Sequence, residues 1–361
     1  MGRTCAASPA EGMDVMRRKF VSAVIIVVVL VVAACQRPVA GPDDQTPGPL
    51  VRSTCGVGPK LVPKCGAWWG VAANPLGGET WDQALVNYES RIGRTVNIAH
   101  FYHRAGQLFP TRQEIARANQ PGKERLLLLN YKPEAGHTWR EVGRGATNAE
   151  IDRLAAYIKA NFTKPFFFTV HHEPEDEVRQ IGGSGYTAQD YVLMYRHVVL
   201  RLHQRGLRNI VRVMNYMGLP KWGSQSWFNA LYPGDDVVDW IALDPYIFGT
   251  GTYWGGVPDL MNRRFSEYPS WPGFYTWATR NHPTKPLMLG EWGVSERAGS
   301  PGAKANFFRM LGSEVQQWPR VKALVYWNAA GDRTVGATRV DSSTPSWNEF
   351  ARIGRLPYFN R

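Results

Sequence analysis

The sequence predicts an α/β fold, a single (β/α)8 or TIM barrel whose eight parallel strands are each followed by a helix. Three observations carry this expectation. Eight short apolar runs recur along the chain, amphipathic segments with helical spacing separate them, and no Pro/Ser/Gly-rich break divides the roughly 300 residues that follow the N-terminal region.

The apolar runs are Ala67 to Val71, Val96 to Phe101, Leu126 to Tyr131, Phe166 to His171, Ile210 to Asn215, Val238 to Tyr246, Leu287 to Glu291 and Ala323 to Trp327. Each is apolar on both faces, as a strand covered by helices must be. Helical spacing follows in Glu79 to Arg91, Thr111 to Asn119, Thr147 to Asn161, Thr187 to Gln204, Ser226 to Leu231, Gly273 to Asn281 and Ala303 to Gln317, with Ser346 to Gly354 as the last. Thr147-Asn148-Ala149-Glu150 has the spacing of a capping box, hydroxyl and carboxylate three residues apart. No glycine-rich phosphate fingerprint follows the first strand, which argues against an open dinucleotide-binding sheet.

The N-terminus reads as an export signal. Arg17, Arg18 and Lys19 precede an uncharged run from Phe20 to Ala34, about 15 residues and short of the roughly 20 a spanning helix needs. The run ends Val32-Ala33-Ala34-Cys35, which resembles a lipoprotein lipobox. That resemblance implies a signal peptide over 1–34, lipidation of Cys35 and an extracytoplasmic protein held to the membrane by the lipid. Residues 35–65 then form a Pro/Gly-rich linker and 66–361 the barrel.

Of the four cysteines, Cys5 and Cys35 fall in or at the end of the signal, leaving Cys55 and Cys65 to form a disulfide in an oxidising compartment. The formal net charge is +12. Residues 1–34 hold four basic and two acidic side chains, so the remainder keeps +10. The basic residues are scattered and no nucleic-acid motif appears, so nucleic acid is not an expected partner. A monomer is expected.

Polar residues at the C-terminal ends of barrel strands are the functional candidates. The fourth run ends His171-His172-Glu173-Pro174-Glu175, and the seventh ends Leu289-Gly290-Glu291-Trp292. Folding would bring Glu173 and Glu291 together across the barrel mouth. Two carboxylates flanking a scissile bond, one protonated and one ionised, are what glycoside hydrolysis requires.

With glutamates after strands four and seven, the chain resembles the retaining enzymes of glycoside hydrolase clan A. The His172-Glu173 pair is most similar to glycoside hydrolase family 26, which includes β-mannanases. This resemblance implies Glu173 as acid/base and Glu291 as nucleophile. It places His172 at the sugar beside the cleaved bond, Tyr246 on the nucleophile, and Trp327 under the central sugar with a cis Trp327–Asn328 peptide. Asn328 stands where an arginine is often found, and no tryptophan follows Glu173, which leaves the glycan open. His103 and Trp69 are further candidates for contact with a polysaccharide.

Other readings attach to nearby residues. Glu175, Asp176 and Glu177 read as a solvated acidic loop, and His171 as an interior histidine held by a neighbour. His171 and His172 are adjacent and would point to opposite faces of a strand, so no metal and no cofactor is expected. The function expected is a retaining endo-β-glycan hydrolase, with a transglycosylase or a non-catalytic carbohydrate-binding barrel as alternatives.

Overall fold

Every apolar run becomes a strand. β1 (Trp68–Ala73), β2 (Ile98–Arg104), β3 (Leu126–Lys132), β4 (Phe166–Val170), β5 (Ile210–Tyr216), β6 (Trp240–Leu243), β7 (Tyr246–Ile247), β8 (Leu287–Val294) and β9 (Val321–Asn328) pair in parallel throughout. β6 pairs with β8, β8 with β9 and β9 with β1, which closes an eight-stranded ring. The expected sixth strand is split at Asp244-Pro245, since proline has no N–H for a ladder, and its last two residues form β7 beside the top of β8. The computed structural model describes residues 55–248, 254–331 and 337–359. The proposed signal peptide, Cys35 and most of the proposed linker lie outside the described residues.

Between the strands run α1 (Trp81–Ile92), α2 (Arg112–Ala118), α3 (Trp139–Gly143), α4 (Asn148–Asn161), α5 (Ala188–Gln204), α6 (Pro220–Gly223), α7 (Val257–Asn262), α8 (Phe274–Asn281), α9 (Ala303–Glu314) and α10 (Thr344–Gly354). The expected Ser226 to Leu231 helix is a 3-10 turn, Phe228–Leu231. Side-chain capping boxes start α1 (Thr80, Gln83), α2 (Thr111, Glu114), α3 (Thr138, Glu141) and α5 (Thr187, Asp190), each contributing about 1 kcal/mol. The box expected at Thr147 does not form. α3 passes into α4 through a tight turn in which Asn148 N–H donates to Gly145 O, so Thr147 is already turned (φ −107°, ψ 22°) and makes no side-chain cap.

Alternation along each strand sorts the core into two layers. Trp68, Ile98, Leu128, Phe167, Trp240 and Met288 fill the barrel, while their neighbours face the helices. The segment from Cys55 to Cys65 closes the lower mouth. The Trp68 indole donates to Leu61 O at 2.8 Å, the Trp240 indole donates to Lys60 O at 2.7 Å, and Leu61 and Val62 pack on the interior residues. Cys55 and Cys65 are joined as a disulfide with Cα atoms 5.8 Å apart. With the lower end filled, the upper end is where polar side chains gather. No helix among the described residues is long and apolar enough to cross a membrane.

Candidate active site

Glu291 faces the barrel mouth because β8 carries a bulge. Leu289 is in register with Leu324 and Trp292 with Tyr326, so two residues of β8 oppose one of β9. All four of those side chains pack in the outer layer, and the extra residue lets both Gly290 and Glu291 turn inward.

Beneath Glu291 lies a polar layer that needs Gly290 to be a glycine. A Cβ there would stand 2.3 Å from Asn215 Oδ1 and 2.9 Å from Asp244 Oδ1. In the vacant space Asn215 Nδ2 donates to Asp244 Oδ2 at 2.5 Å, and the Glu291 N–H donates to Asp244 Oδ1 at 2.7 Å. Gly290→Ala is therefore expected to lose about 1–3 kcal/mol in urea denaturation, the cost of overpacking a closed site; unchanged stability would contradict this packing.

Two phenols hold the carboxylate itself. Tyr102 donates to Glu291 Oε1 and Tyr246 donates to Glu291 Oε2, both at 2.6 Å. Burial raises the Glu291 pKa and the two phenol donors work against that rise.

Glu173 arrives by a different device. After β4 the backbone enters the left-handed region at His171 (φ 47°) and at Glu173 (φ 54°), an uncommon conformation for residues with a Cβ. Its N–H donates to Asn215 O at 3.0 Å, so Asn215 holds Glu173 by its backbone and Asp244 by its side chain. The Glu173 carboxyl is pushed well above its usual range, first by burial and then by the negative charges of Glu291, Glu175 and Asp176. Two carboxyl groups thus share one field, one short of donors and one clamped by two.

The remaining expected residues divide. His172 packs 5.5 Å from Tyr102, and burial holds it neutral, well below the ordinary imidazole value. Trp327 is half-buried with its ring 5.9 Å from that of Tyr246. The expected cis Trp327–Asn328 peptide is trans; the ladder to β1 continues through Asn328 opposite Ala73, which keeps the backbone extended. Asn328 does not face the mouth freely, since its Oδ1 accepts from Val340 N–H at 2.9 Å.

Strand register decides where two more of the expected residues lie. Trp69 is fully buried in the outer layer against Trp292, Phe350 and Phe359, because Trp68 takes the inward position. His103 points away from the two glutamates, stacked on Phe109 at 4.3 Å with its Nε2 3.3 Å from Glu114, and lines a separate cleft between α1 and α2. Ile98 is interior, so the same face carries His100 and Tyr102. Tyr102, Asn215 and Asp244 were not among the sequence-predicted residues, and strict alternation from Ile98 was the signal that would have found Tyr102.

The acidic loop is solvated only in part, at Asp176 and Glu177. Glu175 is fully buried, accepts from the N–H groups of Met217 and Gly218 at 2.9 Å each, and is pushed by burial up to about 7. Glu177 bonds to His171 and to Lys132 (3.1 Å) and is held down to about 2, chiefly by the His171 hydrogen bond. His171, also bonded to Glu134, is the interior histidine the sequence suggested, anchoring the turn that presents Glu173. Asp176 is exposed, and the Glu177 side chain keeps 40% of its surface open to solvent.

No family model matches the chain. Over 241 residues it is 25% identical to endoglucanase H of Acetivibrio thermocellus, a match covering 66% of this chain and 25% of that protein. The chain thus spans about a quarter of the length of this curated relative. Among solved structures, it is similar to a family 26 β-mannanase from Bacteroides ovatus (TM-score 0.54, 17% identity, covering 82% of this chain and 90% of that one). A family 26 endo-β-1,4-mannanase catalytic domain from Bacillus sp. JAMB-750 gives a TM-score of 0.52 at 15% identity, covering 81% and 86%. At these identities the likeness establishes the fold alone, a (β/α)8 barrel.

Proposed function

We propose that the chain is a retaining endo-β-glycan hydrolase that works by double displacement with two glutamates. The observation that carries this reading is the asymmetry of the pair. Glu291 accepts two phenol hydrogen bonds that favour its ionised form, while Glu173, in the same field, is kept protonated by burial and by that neighbouring charge.

In the first step an oxygen of Glu291 attacks the anomeric carbon as Glu173 passes its proton to the departing glycosidic oxygen. A carboxylate oxygen has two lone-pair sites, so a phenol can hold one while the other attacks. In the second step the Glu173 carboxylate takes a proton from water. That water attacks the same carbon and releases Glu291, and Glu173 is left protonated as it began. Neutral His172 and the half-buried ring of Trp327 supply contacts to the sugar at the centre of the mouth.

The likeness to a curated endoglucanase and to β-mannanase structures supports a β-linked polysaccharide as substrate. The site is proposed to act outside the cytoplasm, behind a signal peptide over 1–34 and a lipid on Cys35, on a monomer. The Cys55–Cys65 disulfide supports export. Turnover of mannan, xylan, mixed-linkage glucan or a bacterial wall glycan by purified protein tests the reading; no release of reducing ends from any of them overturns it.

Tyr102→Phe tests the clamp. Losing one donor leaves the burial of Glu291 less opposed, so its pKa rises. Because the nucleophile must be ionised, the acid limb of the kcat/KM profile is expected to move to higher pH. The rate should fall on the order of tenfold to a hundredfold, as expected for a hydrogen bond to a charged group. A pH–rate profile identical to wild type would show that Tyr102 does not act on the nucleophile.

A further inference from the structure

A second cleft, of about 540 Å³, opens between the N-terminal ends of α1 and α2 and is lined by Trp81, Gln83, Tyr102, Gln107, Gln113 and Glu114 among others. That volume lies within the range of small-ligand sites. One wall is Tyr102, the residue whose hydroxyl holds Glu291. Tyr102 therefore belongs both to the wall of this cleft and to the clamp on Glu291.

Its chemistry is specific. Trp81 is half-buried and braced by Phe101 (ring centroids 6.3 Å apart) and Tyr102 (5.7 Å), which presents a rigid aromatic face. Gln107 Oε1 accepts from Arg104 N–H at 2.6 Å and Gln83 Oε1 accepts from Thr80 N–H at 2.8 Å. These bonds orient both amides and leave their NH2 groups as fixed donors.

The carboxylates at the cleft are compensated. Asp82 receives two bonds from Arg117, at 2.6 and 2.9 Å, and Glu114 lies against His103 and accepts from Thr111 N–H at 2.9 Å. No lysine or arginine lines the cleft. Its one basic side chain, His103, is set against Glu114, so a phosphate or uronate would find no free lysine or arginine there, whereas a neutral sugar would find an apolar platform and oriented donors.

We infer that this cleft is an extended subsite for uncharged sugar residues, so that the enzyme selects long, neutral segments of glycan in spite of its basic overall charge. The inference rests on the hydrolase reading for its place in catalysis, but binding can be measured apart from turnover.

Full-length wild type, Trp81→Ala and Trp81→Phe are compared on neutral manno-, xylo- and mixed-linkage gluco-oligosaccharides from disaccharide to hexasaccharide. The ratio of kcat/KM on the hexasaccharide to that on the trisaccharide is expected to fall about tenfold in Trp81→Ala and to recover in Trp81→Phe, which keeps an aromatic face. In the Glu291→Gln background, calorimetric affinity for the hexasaccharide should fall by a similar factor on adding Trp81→Ala, and carboxymethylated oligosaccharide should bind more weakly than neutral.

An unchanged length ratio in an active enzyme, or unchanged affinity in the Glu291→Gln background, overturns the subsite. If no glycan is cleaved yet Trp81→Ala still weakens binding, the hydrolase reading falls and the subsite stands.

Discussion

Glu291→Ala is expected to abolish turnover, lowering kcat by at least about 10⁴-fold, because the carboxylate that forms the covalent intermediate is lost. The effect should exceed any change in folding. Truncation leaves the hydroxyls of Tyr102 and Tyr246 without their acceptor, about 1–3 kcal/mol for each group stranded. Glu291→Gln keeps an oxygen for one phenol and should be equally inactive with less loss of stability. A small anion such as azide fits the space vacated in the alanine variant and should restore turnover of an activated aryl glycoside, giving a glycosyl azide of inverted configuration. Wild-type activity in either variant would remove Glu291 from the mechanism.

Glu173→Ala is expected to cost roughly 10²–10⁴-fold on a natural glycan, the usual contribution of a general acid. On an aryl glycoside whose leaving group needs no proton, formation of the glycosyl-enzyme should be nearly spared, while its breakdown slows because water has lost its base. Burial and the charge of Glu291 raise the Glu173 pKa, so in the wild type the acid form persists to higher pH than for an ordinary carboxyl. The alkaline limb of kcat/KM should fall as pH rises through that pKa, and this limb should vanish in the variant. An unchanged alkaline limb in Glu173→Ala would assign the titration to another group.

The architecture was legible because it rests on composition and period. Eight runs apolar on both faces, with helical spacing between them, admit few arrangements, and the position of Glu173 and Glu291 at strand ends follows from the barrel. What the sequence could not supply was phase. Trp68 and Trp69 are equivalent as letters, and only the register of β1 with β9 decides which one enters the barrel. Tyr102 was passed over in β2 on the same ground, since an imidazole such as that of His103 suggests chemistry more strongly than a phenol does.

The bulge in β8 is a deeper obstacle. Simple alternation from Met288 would put Glu291 on the outer face, and the extra residue that turns it inward appears only in the pairing with β9. Gly290 hinted at a close approach, but its reason, the Asn215–Asp244 pair beneath it, is brought together from β5 and the end of β6. In the acidic run after Glu173 the solvated reading fails at Glu175, which is fully buried, while Asp176 and Glu177 keep exposed side chains. Backbone donors at Met217 and Gly218 reach Glu175, and His171 and Lys132 reach Glu177, from other parts of the chain.

The central claim is that residues 173 and 291 act on one anomeric carbon from opposite sides in two successive displacements. Proton NMR of the first sugar released from a β-linked oligosaccharide, recorded before mutarotation, tests it most directly. The account predicts that the β-anomer appears first and decays toward equilibrium. Initial release of the α-anomer would mean a single displacement by water, and would contradict the role given to Glu291.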